Sequence, residues 1–235
     1  MEQFFNTFLN WDAFSESLPL VWKGFQTNLM LMFVAELCVV VWGLVLALLR
    51  SSRSRAVAPV RWLAIGYIDF FRALPALIVV YMVGFGIPIS GLPWLSDWSL
   101  FQLAVLALTL VYGAYVAEVY RAGIESVHWS QSAAARSLGL SQAKTMRFVV
   151  LPQAIRRVIP PLLNDFIGLQ KDTAFIGIIG VLEGFRRAQL YAGSKFNLSS
   201  FTGLALCFVV LTIPMTRLTD HLLKRDQQRM AAADR

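Results

Sequence analysis

Charge is what this chain has least of: 15% of its 235 residues are Asp, Glu, Lys or Arg, against about a quarter in ordinary soluble domains. With 57% apolar residues and a mean hydropathy of +0.60, that scarcity excludes a disordered tail and argues against a typical soluble enzyme. Cysteine is almost missing. Cys38 and Cys207 both lie inside long apolar runs, a pattern that points to neither a disulfide framework nor a metal site. His128 and His221 are the two histidines and stand far apart, so no zinc spacing exists. No G-x-x-x-x-G-K-[ST] loop occurs; the nearest fragment, Gly193-Ser194-Lys195, lacks the leading glycine at the required distance. A phosphate-cradling site is therefore not expected. There is likewise no serine nucleophile elbow and no cysteine–histidine arrangement, so the chain does not read as a self-contained enzyme. No basic residue precedes Lys23, whereas Glu2, Asp12 and Glu16 do, which argues against a cleavable secretory leader.

Long hydrophobic runs are what is present. A spanning helix needs about 20 predominantly apolar residues, and five segments qualify: residues 29–49, 63–87, 100–117, 155–169 and 201–218. The fourth is the least clear, because Pro160 and Pro161 lie inside it and are expected to bend or interrupt it. The expected fold is all-α and integral to the lipid bilayer, one domain of five transmembrane helices. The net charge of +7 could signal nucleic acid, but most Lys and Arg flank apolar runs, as the positive-inside rule requires, and no nucleic-acid partner is expected. Arg50, Arg53, Arg55 and Arg61 follow the first span, and Arg121, Arg136, Lys144, Arg147, Arg156 and Arg157 follow the third. Lys224, Arg225, Arg229 and Arg235 lie at the C-terminus, while Gly84 to Ser99 carries Asp97 and no cation. The N-terminus is then outside and the C-terminus cytoplasmic. Arg186, Arg187 and Lys195, between spans four and five, oppose this orientation.

The connection over residues 122–151 is too long for a minimal loop and too polar for a span. Gln131 to Leu138 is rich in helix formers, with Ser130 as a candidate cap and Gly139 as a left-handed stop. Ser141 offers a second cap and Pro152 a first-turn residue for the next helix. Two short cytoplasmic helices joined by a glycine bend result, which by themselves serve as a connector or as a docking site.

The segment Ala133-Ala134-Ala135 through Gly139 to Val149-Val150-Leu151-Pro152 resembles the EAA motif of binding-protein-dependent ABC importer permeases. Leu151-Pro152-Gln153-Ala154, Pro160-Pro161-Leu162, Lys171-Asp172-Thr173, Phe71-Arg72-Ala73-Leu74-Pro75 and Ala117 to Ile124 are similar to its polar amino-acid branch. The resemblance covers most of the chain and implies the type I ABC importer permease fold in the cytoplasmic (inner) membrane of a prokaryote. It also implies as partners an ABC ATPase dimer, a second permease subunit, identical or homologous, and an extracytoplasmic solute-binding protein. No cofactor is expected in this chain, since ATP–Mg belongs to the partner ATPase. Ala133 stands where the motif has its glutamate, so docking would rest on apolar contact from Leu138, Leu140 and Met146 and on charge from Arg136 and Arg147, around Ala134 and Gly139.

Ionisable groups at membrane depth are costly, about 2.5–3.5 kcal/mol each on insertion scales, and mark pathways or internal pairs. Asp69 and Arg72, three apart, are expected to pair with each other. Tyr112, Tyr115 and Glu118 form a polar-aromatic stripe that suits an ammonium or guanidinium group, or else an interfacial glutamate within a tyrosine belt. Asn164, Gly168 and Lys171 share a helical face, with Asp165 and Asp172 beside it. Lys171 and Asp172 fit the two ends of a zwitterion, or pair with each other, or cap the helix. The family resemblance places the span-three glutamate and the Lys171-Asp172-Thr173 segment close to the translocation path of a polar amino acid. A self-powered secondary transporter and a non-transporting membrane assembly protein are the rival readings.

Overall fold

Apolar runs without interior breakers become helices. The computed structural model describes residues 1–52, 55–91 and 97–233, and these are mostly helical, joined by turns and short irregular connections, with no strand among them. Arg53 and Arg235 of the basic flanks lie outside the described residues. Helix α1 (Glu2–Phe8) is followed by α2 (Trp11–Ser51), α3 (Ala58–Ala73), α4 (Ala76–Tyr81) and the single turn α5 (Ile87–Ile89). Then come α6 (Leu100–Glu125), α7 (Trp129–Ser137), α8 (Gln142–Thr145), α9 (Leu151–Asp172), α10 (Gly184–Lys195) and α11 (Ser199–Ala233).

Glu2–Ser51, Leu100–Glu125 and Ser199–Gln228 are long and apolar enough to cross a bilayer. Arg55–Ala73 and Ala76–Ile89, bent by 105° at their junction, qualify jointly as a fourth span. Pro75 explains the bend: it disfavours helical geometry at Leu74 and itself sits extended, ψ 134°, as the cap of α4. The expected fourth span, residues 155–169, is less apolar than the others. Helix α9 has 22 residues, about 33 Å at 1.5 Å per residue, but it carries Arg156, Arg157, Asp165, Lys171 and Asp172. By length and composition the described residues thus give up to four spans.

Of the two expected effects, bending or interruption, Pro160 and Pro161 do not produce the second; the helix runs through both. The irregular backbone lies elsewhere. Wide, π-type turns occupy Met82–Gly86 and Met146–Val150, immediately ahead of the Ile87-Pro88 and Leu151-Pro152 steps. A proline lacks the N–H that an α-helical turn needs. At the second site the chain adapts by bonding Leu151 N–H to the Met146 carbonyl five residues back. The Gln153 side-chain amide then donates to the Val149 carbonyl at 2.9 Å. Beyond Asp172 a tight 3₁₀ stretch, Thr173–Ile179, ends at Gly180, whose φ of 99° requires glycine.

The chain forms two compact units. One comprises Met1–Val39, Leu74–Val111 and Phe166–Pro214; the other comprises Val40–Ala73, Tyr112–Asp165 and the chain from Met215 onward. In the first, Val21, Phe25, Ala188 and Leu204 form a core. In the second, Leu46, Ala47, Ala64, Ile68 and Ala117 do, with Trp42 donating its ring N–H to the Tyr67 hydroxyl at 2.9 Å.

Candidate functional site

In the second unit, Glu118 is an ion-pair hub. Its carboxylate meets Arg50 from α2, Arg72 from α3 at 3.7 Å, and Arg121 one turn onward at 2.8 Å. The expected partner of Arg72 was Asp69. Arg72 pairs with Glu118 instead, because the Glu118 carboxylate stands beside three guanidiniums and draws each of them. The tyrosine stripe is present as the period-three spacing requires: Tyr112 is buried, its ring 6.1 Å from that of Tyr115. The cation that meets this stripe belongs to the chain itself. Arg72 lies 6.0 Å from the Tyr115 ring, and the Tyr115 hydroxyl donates to the Arg72 carbonyl at 3.4 Å. A cavity of about 500 Å3 opens beside the hub, lined by Arg72, Glu118, Ser126, Arg157, Pro161 and Asp226. It presents two carboxylates and two guanidiniums, the charge pattern complementary to a zwitterion.

Helix α9 carries Asn164, exposed, and Asp165, half-buried, in the same unit. One carboxylate oxygen of Asp165, Oδ2, is buried and has no hydrogen-bond partner among the described residues. A carboxylate oxygen left so in an apolar helix is a liability unless something polar reaches it.

Lys171, Asp172 and Thr173 fall in the first unit. Lys171 is exposed, and Asp172 is half-buried and engaged within the chain. Thr173 is fully buried. Its hydroxyl donates to the Gln170 carbonyl at 2.6 Å and accepts the Asn28 amide at 3.0 Å, so it has no hydrogen left to offer a ligand. Around it the structure reveals a network that the sequence did not signal. Asn28 also donates to Glu183 Oε2 at 3.0 Å and accepts from Gly184 N–H at 2.8 Å. Glu183 caps α10, taking Phe185 N–H on Oε2 and Arg186 N–H on Oε1, both at 2.7 Å. Outside the spanning segments and fully buried, the Glu183 carboxyl is pushed up by burial, while the three donors pull it back. A Cβ on Gly177 would stand 2.4 Å from Glu183 Oε1, so glycine is needed there for close approach. A second cavity, of about 400 Å3, is lined by Leu77, Phe175, Ile178, Phe185, Arg186 and Gln189. Its polar side chains are Arg186 and Gln189, the first donating to the second at 2.7 Å.

The connection over residues 122–151 takes the expected form with one change. Helix α7 begins at Trp129, capped by the His128 ring nitrogen accepting from Ser130 N–H, rather than by the Ser130 hydroxyl. The His128 ring reaches the first turn and takes that role. Gly139 has φ 84°, the left-handed stop, and Ser141 caps α8 by accepting from Lys144 N–H. Ala133, Ala134, Arg136, Leu138, Met146 and Arg147 are exposed, and Leu140 is half-buried. Leu138 is 84% exposed, with Trp129 at 73% and Phe148 at 62%. The two aromatics extend the patch beyond the predicted set; their signal was bulky apolar residues in an otherwise polar loop.

A family model, the binding-protein-dependent transport system inner membrane component, matches residues 39–227. The probable glutamine ABC transporter permease protein GlnM of Bacillus subtilis is 34% identical over 220 residues, covering 92% of this chain and 98% of that protein. The glutamate/aspartate import permease protein GltK of Escherichia coli is 31% identical over 224 residues, covering 92% and 97%. Among solved structures, a crystal structure of an amino acid ABC transporter with histidines aligns with a TM-score of 0.80 at 32% identity, covering 88% of this chain and 94% of that one. The inward-facing MetNI methionine ABC transporter aligns with a TM-score of 0.70 at 21% identity, a likeness of fold.

Proposed function

Because the chain belongs to the binding-protein-dependent transport system inner membrane components, we propose that it is the permease half of an ATP-driven importer for a polar amino acid. As a member of that family it is a non-catalytic transport subunit, and ATP is hydrolysed by a separate subunit. On our reading two ATPase subunits dock on the cytoplasmic side, a second permease subunit completes the pathway, and an extracytoplasmic binding protein delivers substrate. The chain crosses the membrane five times, N-terminus outside, with α9 as the least apolar span. ATPase closure pushes the α7–α8 elbow and switches access to a cavity near the midplane.

The observation that carries this reading is the elbow. A stretch of short polar helices holds Leu138, Trp129 and Phe148 open to water, an arrangement that buries apolar surface only when a partner arrives. Our candidate substrate-contacting groups in the second unit are Glu118, which lines the charged cavity, Tyr112 and Tyr115 of its stripe, and Asn164 and Asp165 of α9; in the first unit they are Lys171 and Asp172. Thr173 contributes by holding Asn28 rather than by touching substrate.

Co-reconstitution with the cognate ATPase and binding protein tests the proposal. Uptake should require ATP, and the ATPase should be stimulated by loaded binding protein. Glu118→Gln and Asp172→Asn should each lower uptake about tenfold or more while membrane insertion and ATPase co-purification persist. Ion-driven uptake without ATP would establish the secondary transporter instead, tight ATPase binding without flux the assembly protein, and wild-type uptake in both variants would remove the proposed site.

A further inference from the structure

Helix α1 faces the wrong way for water. Its sequence, Glu2-Gln3-Phe4-Phe5-Asn6-Thr7-Phe8, would ordinarily put its three phenylalanines against the protein and its amides outward. None of its residues is buried. Phe4 is 60% exposed and Phe5 51%, and the Phe4 ring lies 5.1 Å from Phe8 and 6.0 Å from Phe5, so the three form one outward patch. The C-terminal turn of α1, by contrast, is fastened to the chain through its carbonyls. Asn197 Nδ2 donates to the Asn6 carbonyl at 2.7 Å, Leu198 N–H to Thr7 at 2.8 Å, and the Thr202 hydroxyl to Phe8 at 2.6 Å. Just beyond, Asn10 N–H donates to the Ser199 hydroxyl at 2.9 Å. Carbonyls that a helix end leaves without partners are thus satisfied by the start of α11, and the orientation of α1 is fixed.

The same surface holds a second exception. Phe196, adjacent to Asn197, has φ 51°, the sole non-glycine positive φ among the described residues, and is 94% exposed. A bulky residue held in the left-handed region and in full contact with its surroundings is unfavourable in water on both counts. Trp11, at the start of α2, is also exposed.

We propose that α1, with Trp11 and Phe196, is an aromatic anchor seated in the headgroup–acyl boundary of the bilayer. The occupant is lipid because of the level at which α1 is tied. Its bonds run to residues 197–202, at the start of Ser199–Gln228, a helix long and apolar enough to cross a bilayer. Leu18 and Trp22 on α2 and Leu206 and Val210 on α11 are exposed apolar residues as well, as helices that face lipid require. Aromatic rings favour that boundary, and a helix lying in its plane turns its apolar face to lipid. With Glu2 as its one charged residue, α1 has no cation for anionic headgroups, so the seating is indifferent to lipid charge and to salt.

The test uses the full chain with Cys38 and Cys207 replaced by alanine and a single spin label placed by Phe5→Cys or Phe8→Cys. The label is read in neutral phosphatidylcholine proteoliposomes at high dilution of protein, with Ser141→Cys as the water-exposed reference. Positions 5 and 8 should collide several-fold more with oxygen than with a nickel chelate, unchanged by 0.5 M salt or by anionic lipid, while position 141 shows the reverse. Chelate access at positions 5 and 8 equal to that at 141 overturns the anchor. Chelate access that is lost only on adding the binding protein, or only on concentrating the permease, overturns it too and gives the face to a protein partner.

Discussion

Glu183 shows how much a single residue can do without a sequence signal. It sits in an ordinary-looking Val-Leu-Glu-Gly stretch, and its role depends on Asn28, 155 residues away. No local pattern encodes a contact of that range. Gly139 is the opposite case: a glycine after a run of helix formers, before a serine, is legible as a stop because only its own φ is at issue. The Asp69–Arg72 expectation failed for the reason that Glu183 was missed. Spacing of three permits a pair, but a carboxylate from another helix, Glu118, took the guanidinium. For Glu183 the prediction concerns pH. A carboxyl raised by burial contributes stability that is fully present below its unfolded value, about 4.3, and lost as pH rises through the raised one. Thermal unfolding in detergent should therefore show wild type losing stability as pH rises above about 4, while Glu183→Gln, which cannot titrate, gives a flatter profile. Glu183→Ala orphans the Asn28 amide and two backbone N–H groups and should cost about 3 kcal/mol across that range. A glutamine variant with the wild-type slope would show that this group does not titrate in the window.

Among elements, the elbow of α7 and α8 is the one whose form was most nearly readable in advance, since caps and a glycine stop are local chemistry. Its wide turn was not readable. Pro152 announced a helix start, yet the chain runs on from α8 into α9 by expanding Met146–Val150, which makes the elbow and α9 one continuous piece of backbone. The tolerance of α9 for Pro160 and Pro161 was equally hidden, because a proline's cost depends on whether neighbours re-satisfy the freed carbonyl. Gly139 has open space about it, so a substitution there acts through backbone conformation alone. The left-handed conformation costs a β-branched residue about 1–2 kcal/mol, a factor of roughly 5–30 in the population of the bent form. Gly139→Val should lower ATP-driven uptake within that range, whereas Gly139→Asn should retain most of it. Equal uptake by both variants and wild type would detach the elbow's bend from coupling.

For the whole molecule, the apolar runs identified the membrane class directly, because span length follows from bilayer thickness. Orientation rests on charge, and the exception there has a structural account. Lys195 is paired with Glu16 at 3.0 Å, Arg187 donates to the Leu182 carbonyl at 3.2 Å, and Arg186 to Gln189. These three cations are outnumbered by the basic residues that follow spans one and three and close the chain, and the larger bias sets the orientation. The expected arrangement is thus an external N-terminus and Lys195 turn, with the elbow and C-terminus inside. Single cysteines at Asn197 and Ser141, again with Cys38 and Cys207 replaced, decide it in intact cells. An impermeant maleimide should label Asn197→Cys from outside and reach Ser141→Cys only after the membrane is opened. Labelling of Ser141→Cys in sealed cells would invert the chain, put the elbow on the side where no ATPase exists, and with it end the proposal that this elbow is driven by ATP hydrolysis.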